Sequence, residues 1–150
     1  MFSLAKKLSR SIHILLAEDN LADVTLIMEA FKSCRTPIQV ARVKDGDEAL
    51  LYLRGQGRYS QSRRPDLILL DLNMPRKSGL EVLSEVKSDP KFQEIPVVVL
   101  SNSKMETDVQ KAYESKANFY ISKPSDLDEL FAVAKYVEDI WLKSIGNPDD

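Results

Sequence analysis

The chain has 150 residues, 43% of them hydrophobic and 29% charged, with a formal net charge of −2 at pH 7. That is the size of one ordinary domain with a sizeable core, too apolar for a disordered chain, and its near-neutral charge supplies no global field to recruit nucleic acid. A single cysteine, Cys34, excludes an internal disulfide and a multi-thiolate metal site.

Residues 1–11 (MFSLAKKLSRS) are basic and mixed and lack the apolar core of a secretory signal. They read as an N-terminal arm. No apolar run approaches the roughly 20 residues that span a bilayer, so no membrane segment is expected and the cytoplasm is the expected location.

Ile12 to Ala17 reads as a buried strand that ends in the acids Glu18 and Asp19. Asp19 or Asn20 then caps a helix. Leu21, Val24, Met28 and Phe31 recur at helical spacing and carry that helix to about Ser33. Ile38 to Val43 alternates enough for a half-buried strand. A short helix follows from Asp47 to about Leu53, with Ala49, Leu50 and Leu53 inward. The polar, basic stretch Gly55 to Arg64 is longer than the usual connection in an α/β domain. It reads as a solvated loop, with partner docking as the alternative.

Leu67 to Leu70 is an unbroken apolar run between Pro65 and Pro75. It lacks alternation, as in a central parallel strand buried on both faces. Asp71 stands at its carboxyl end. The next helix carries Leu80, Leu83 and Val86. Val97 to Leu100 is a third fully apolar strand, ending in Ser101 and Asn102. A helix with Val109, Ala112 and Tyr113 leads to a short strand, Asn118 to Ser122, which ends in Lys123-Pro124. The last helix, capped by Ser125 or Asp126, runs to about Ser144. His13 lies early in a buried strand and reads as core or edge filler. The domain is placed at residues 12–145, with a tail at 146–150 and no output domain.

Strand and helix alternate five times, which predicts a flavodoxin-like (βα)5 doubly wound parallel sheet of order 2-1-3-4-5. Ligands in such sheets bind outside the carboxyl ends of the strands. Glu18, Asp19, Asp71, Ser101 and Lys123 therefore converge on one rim. Clustered carboxylates repel, and a hard divalent cation such as Mg²⁺ relieves them. Asp19 and Asp71 can each supply an oxygen, and Asn73 a backbone carbonyl. Asp71 can act as a nucleophile on phosphorus, with Lys123 pairing with a phosphoryl oxygen and Ser101 donating to another. Each residue also has a plainer reading: Lys123 as a loop lysine, Ser101 as a helix cap, Glu18 and Asp19 as acids favouring a helix dipole.

The segments LLAEDN, LILLDLNMP, VVVLSNS and YISKP resemble, in order and spacing, the response-regulator receiver domain of two-component signalling. The likeness covers about Ile12 to Ser144. It implies that Asp71 is the phosphoacceptor and that Glu18 and Asp19 are the acidic pair organising Mg²⁺. Asp19 is then the direct ligand, Glu18 acts through water, and Asn73 gives its carbonyl. It implies Ser101 and Lys123 as readers of the phosphoryl group, Tyr120 as the aromatic that swings inward, and a cis Lys123–Pro124 peptide bond. The loop after the second helix, the Ser88 to Pro90 turn and the tail near Trp141 are similar to small stand-alone regulators that partner phytochrome-type histidine kinases. Members of that subgroup dimerise through the fourth helix, fifth strand and fifth helix. Tyr113, Phe119, Trp141 and Ile145 are the interface candidates; Trp141 itself reads first as core, and the interface reading concerns the end of that stripe.

Two departures stand out: Glu18 where Asp is commoner, and Asn102 where Ala or Gly is common, a side chain able to narrow access to Asp71. The expected function is a stand-alone regulator, not an enzyme beyond its own phosphorylation and dephosphorylation. It would be phosphorylated on Asp71 by a histidine kinase and would signal through protein contacts. A receiver-fold adaptor that is never phosphorylated is the alternative. A phosphatase with an aspartyl nucleophile needs a second Asp where Asn73 stands, and a flavin carrier needs a Ser/Thr/Gly-rich loop where Glu18-Asp19-Asn20 stands.

Overall fold

A computed structural model describes residues 11–102, 105–124 and 126–144, with the side chain of Ser144 left out. The strands are β1 (Ile12–Ala17), β2 (Ile38–Val43), β3 (Leu67–Leu70), β4 (Val97–Ser101) and β5 (Phe119–Ser122). The helices are α1 (Leu21–Phe31), α2 (Gly46–Arg54), α3 (Gly79–Ser88), α4 (Glu106–Glu114) and α5 (Leu127–Ser144). All pairings are parallel, in the order β2-β1-β3-β4-β5. This is the predicted doubly wound sheet.

The absence of alternation in β1, β3 and β4 follows from burial on both faces. Successive side chains of a strand point to opposite sides. Leu15, Ala17, Ile68, Leu70, Val97 and Val99 pack with Ala49 and Leu50 of α2, Val82, Leu83 and Val86 of α3 and Ala112 of α4. Ile12, Ile14, Leu16, Leu67, Leu69, Val98 and Leu100 meet α1 and α5 through Val24, Ile27, Ala30, Phe31, Leu130, Ala134, Val137 and Trp141.

The buried stripe of α1 differs from the expected one. Val24 and Phe31 are inside, as expected, but Leu21 is 66% exposed and Ile27 and Ala30 take the remaining inner positions. The helix packs on α5 as well as on the sheet, and the small Ala30 permits a close approach. α1 also ends at Phe31 rather than near Ser33. Its last turn tightens, with the amides of Lys32, Ser33 and Cys34 donating three residues back.

The Gly55 to Arg64 stretch is organised rather than merely solvated. Gly55 closes α2 in the left-handed region at φ 62°, a 3₁₀ turn covers Gly57–Tyr59, and the Tyr59 ring packs edge-on against Tyr52 at 5.3 Å. Arg58 pairs with Glu48 at 2.6 Å and lies over the Tyr59 ring, which ties the loop to α2.

Candidate functional site

The rim is built from the carboxyl ends of β1, β3, β4 and β5. Register places them: Ala17 lies opposite Leu70, Leu70 opposite Val99, and Ser101 opposite Ser122. Glu18, Asp71 and Lys123, each just after its strand, and Ser101, the last residue of β4, therefore stand at one edge. The amide of Asp71 donates to the Ala17 carbonyl at 3.0 Å, and the amide of Glu18 to Val43 at 3.0 Å. These bonds fix both acids at the end of the sheet. The Lys123 amide donates to the Ser101 carbonyl at 2.8 Å, which anchors the loop between β5 and α5.

Glu18 is 1% exposed and Asp71 5%, while Asp19 is exposed at the mouth. Ligand atoms of these three carboxylates lie within 4.8 Å of one another. The Lys123 ammonium sits among the acids, 2.6 Å from Glu18 Oε1, 2.9 Å from Asp23 Oδ2 and 3.3 Å from Asp71 Oδ2. Further donors hold the carboxylates in place. The Asn73 amide donates to Asp71 Oδ1 at 3.1 Å, and the Asn20 amide to Glu18 Oε2 at 3.1 Å.

Burial pushes the Glu18 carboxyl up to about 7, with the nearby Asp71 charge adding to it. Lys123 and the Asn20 amide pull the other way and do not overcome the burial. Burial pulls Lys123 down, but its bonds to Glu18 and Asp23 and the charge of Asp71 outweigh this and hold the ammonium well above its ordinary range.

The donor set is all oxygen, two of the three carboxylates are buried, and the third is open to solvent. This suits a hard divalent cation that keeps part of its water shell. Glu18, Asp19 and Asp71 are the carboxylates that fit such an ion.

The other residues anticipated from sequence fall as follows. Ser101 is fully buried at the end of β4. Asn73 is exposed beside Asp71, with its amide turned to the carboxylate. Tyr120 is half-buried against the α2/α3/α4 side of the core, and its amide donates to the Tyr113 hydroxyl at 3.1 Å. Tyr113 is 48% exposed, and Phe119 packs edge-on against Tyr136 at 5.8 Å.

Trp141 is 2% exposed within the α1/α5 core, as its core reading has it, and leaves the interface candidates: the apolar stripe of α5 extends because α1 covers it. One expectation is corrected. The Lys123–Pro124 bond is trans, since the described residues contain no cis peptide bond. The trans form is the ordinary one even before proline. Ile145 lies outside the described residues.

Sequence reasoning missed two residues. Asp23, in the first turn of α1, reaches Lys123, and Arg42 on β2 donates to the backbone carbonyls of Glu18 (3.0 Å) and Asp19 (3.2 Å). Asp23 carries a local signal, because it is the residue whose amide the Asn20 cap accepts. Its position beside a lysine 100 residues away carries none.

Among the described residues no helix is long and apolar enough to cross a membrane. The family model for the response regulator receiver domain matches residues 14–135. Response regulator Rcp1 of Synechocystis sp. is 43% identical over 90% of this chain and 92% of its own length. The solved structure of the phosphorylated cyanobacterial phytochrome response regulator RcpA shares 50% identity with a TM-score of 0.83, covering 89% of this chain and 95% of the other. The Mn²⁺-bound form of Rcp1 shares 44% identity with a TM-score of 0.81, covering 87% of this chain and 94% of the other. With that match spanning both layers of the sheet and every acid of the rim, the chain belongs to the response regulator receiver domain family, as a two-component response regulator homologous to Rcp1 and RcpA.

Proposed function

We propose that a sensor histidine kinase of the phytochrome type transfers a phosphoryl group to Asp71, with Mg²⁺ held by Asp19, Asp71, the Asn73 carbonyl and, through water, Glu18. The observation that carries this reading is the placement of Asp71. It is a nearly buried carboxylate with Lys123 Nζ at 3.3 Å and two further carboxylates within 4.8 Å. The phytochrome assignment draws on the likeness to Rcp1 and RcpA.

An Asp71 carboxylate oxygen forms the new bond to phosphorus as the bond from phosphorus to the kinase's imidazole nitrogen breaks, and the electron pair leaves with the imidazole. A divalent cation held by the rim acids would neutralise phosphoryl oxygens. The Asn73 amide, on Asp71 Oδ1, fixes the carboxylate's orientation, and Lys123 offers its positive charge beside Oδ2. Positioning and charge neutralisation are the main demands of this reaction, and the chain meets them with groups already in place. The same residues carry the chain's own phosphorylation from small donors and its dephosphorylation.

Ser101 and Lys123 read the phosphoryl group, Tyr120 swings inward when the Ser101 hydroxyl moves, and the output passes through protein contacts in the cytoplasm. A homodimer through α4, β5 and α5, where Tyr113 and Phe119 lie, is one form of that output.

The test is intact mass after incubation with a small acyl phosphate, with and without Mg²⁺, beside Asp71→Asn. A Mg²⁺-dependent gain of one phosphoryl group, absent in the variant, is expected. No gain from either a small donor or a phytochrome-type kinase would sink the proposal and leave the adaptor reading.

A further inference from the structure

We infer that Asp23 is a positioning residue for the phosphoryl chemistry: it is the carboxylate that keeps the Lys123 ammonium aimed at Asp71 independently of the metal-binding acids. The inference rests on the phosphorylation of Asp71 proposed above. It starts from the number of bonds Lys123 can make. An ammonium has three N–H donors, and Glu18, Asp23 and Asp71 take one each, at 2.6, 2.9 and 3.3 Å. The shortest contact is to Glu18, which together with Asp71 belongs to the acid set suited to a divalent cation. Asp23 does not belong to that set.

Two of the lysine's three partners thus have a second task, and Asp23 has none. Its own attachments are local. It lies in the first turn of α1, where its amide donates to the Asn20 side chain at 3.0 Å, so the helix cap fixes its backbone. α1 packs on α5 through Ile27, Ala30, Leu130 and Ala134, and the start of α5 follows Lys123 by four residues. Asp23 therefore joins a rigid helix to the head of a lysine whose backbone hangs from β4 through the Ser101 carbonyl. With both ends of the lysine fixed, the ammonium is confined to the space beside Asp71. Its side chain is 10% exposed, which leaves little room for other rotamers.

An acid in a helix's first turn also favours the helix dipole. That role alone would be insensitive to Lys123, and the test exploits the difference. The rate of phosphorylation of the full chain by a small acyl phosphate in Mg²⁺ is measured by intact mass for the parent, Asp23→Asn, Lys123→Ala and the double variant. Asp23→Glu is included as the conservative rescue. Asp23 is 32% exposed, so a reduction of about three- to tenfold is expected for Asp23→Asn. In the Lys123→Ala background the same change is expected to have no effect, and Asp23→Glu is expected to recover part of the rate.

A second readout needs no phosphorylation. The side-chain ammonium resonance of Lys123 in the metal-free protein is expected to shift and to exchange faster with water in Asp23→Asn. Equal effects of Asp23→Asn with and without Lys123, together with an unmoved Lys123 resonance, would overturn the positioning role while leaving the phosphorylation reading intact. A parent chain that gains no phosphoryl group from either the acyl phosphate or a phytochrome-type kinase would overturn both.

Discussion

A glycine makes a close backbone approach beside Asp71. Gly79 opens α3, and its amide donates to the Leu72 carbonyl at 3.0 Å, pressing the start of the helix against the residues that carry Asp71. A Cβ added there would stand 2.3 Å from the Asp71 carbonyl oxygen, 2.6 Å from Leu72 Cα and 3.0 Å from the Asp71 carbonyl carbon. All three are backbone atoms, so no rotamer change relieves the clash. Either α3 retreats or the backbone after β3 does. Gly79→Ala is therefore expected to cost about 3 kcal/mol, the upper range for overpacking a rigid site. For a chain of this size that lowers Tm by about 6–12 °C. Scanning calorimetry measures the loss, and the phosphorylation assay shows whether Asp71 has moved. Gly57→Ala is the control: its φ is +60° but nothing lies within 4 Å, so only the left-handed backbone is penalised, at about 1 kcal/mol. A Gly79→Ala protein that melts with the parent and is phosphorylated at the parent rate would refute the argument that this contact positions Asp71.

Three further outcomes follow from the charges. Mg²⁺ at a hundredfold its dissociation constant is expected to stabilise the fold by about 2.7 kcal/mol, or about 5–11 °C in Tm, and Asp19→Asn is expected to abolish most of that shift in a melting experiment. In metal-free protein Glu18 binds its proton more tightly folded, at about 7, than unfolded, near 4.5. Its contribution is therefore full below 4.5 and is lost as pH rises through 7, and denaturant titrations against pH should show that slope flatten in Glu18→Gln. Burial first, and then the Glu138 charge, pushes the Cys34 thiol up to about 11 from its usual 9.0. Alkylation at pH 8 should accordingly run about a hundredfold slower than for an unperturbed thiol, and an ordinary rate would contradict the burial of that sulfur.

How much of this was legible depended on whether the determinant was local. Runs such as Leu67 to Leu70 and Val97 to Leu100 declare doubly buried strands, because they are unbroken, of strand length and closely preceded by a proline, which sets them apart from a buried helix segment. Alternation with helices then dictated the sheet order, which placed Glu18, Asp71, Ser101 and Lys123 at one edge. The inner face of α1 was only half legible. Leu21 and Met28 fit a helical stripe as well as Ile27 and Ala30 do, and the choice is made by α5, far along the chain. Trp141 was ambiguous for the same reason: the apolar stripe of α5 has the same sequence whether α1 or a partner covers it. Asp23 and Arg42 were invisible because each acts through a contact of tertiary origin, one on the Lys123 ammonium and one on the carbonyls of Glu18 and Asp19.

The charge arrangement also indicates which edge of the sheet can respond to a phosphoryl group. Apart from His13 of β1, the residues of the central strands are 0–2% exposed on both faces, too tightly packed to shift by small amounts. A response must therefore travel through side chains at the rim. A phosphoryl group on Asp71 would replace one of the three carboxylate partners of Lys123 with a larger, more negative one. Lys123 is bonded through its backbone to Ser101 of β4 and follows β5, where Tyr120 is half-buried and so has room to move. On the opposite side, β2 reaches the site through Arg42, whose donors rest on backbone carbonyls that keep their charge whatever happens at Asp71. The change in charge is thus coupled to β4 and β5 and only weakly to β2. A partner that distinguishes the two states is expected to bind at the β4–β5 edge, and amide exchange around Tyr113, Phe119 and Tyr120 should change on phosphorylation more than exchange along β2. Equal changes at both edges would mean that the signal does not travel through Lys123.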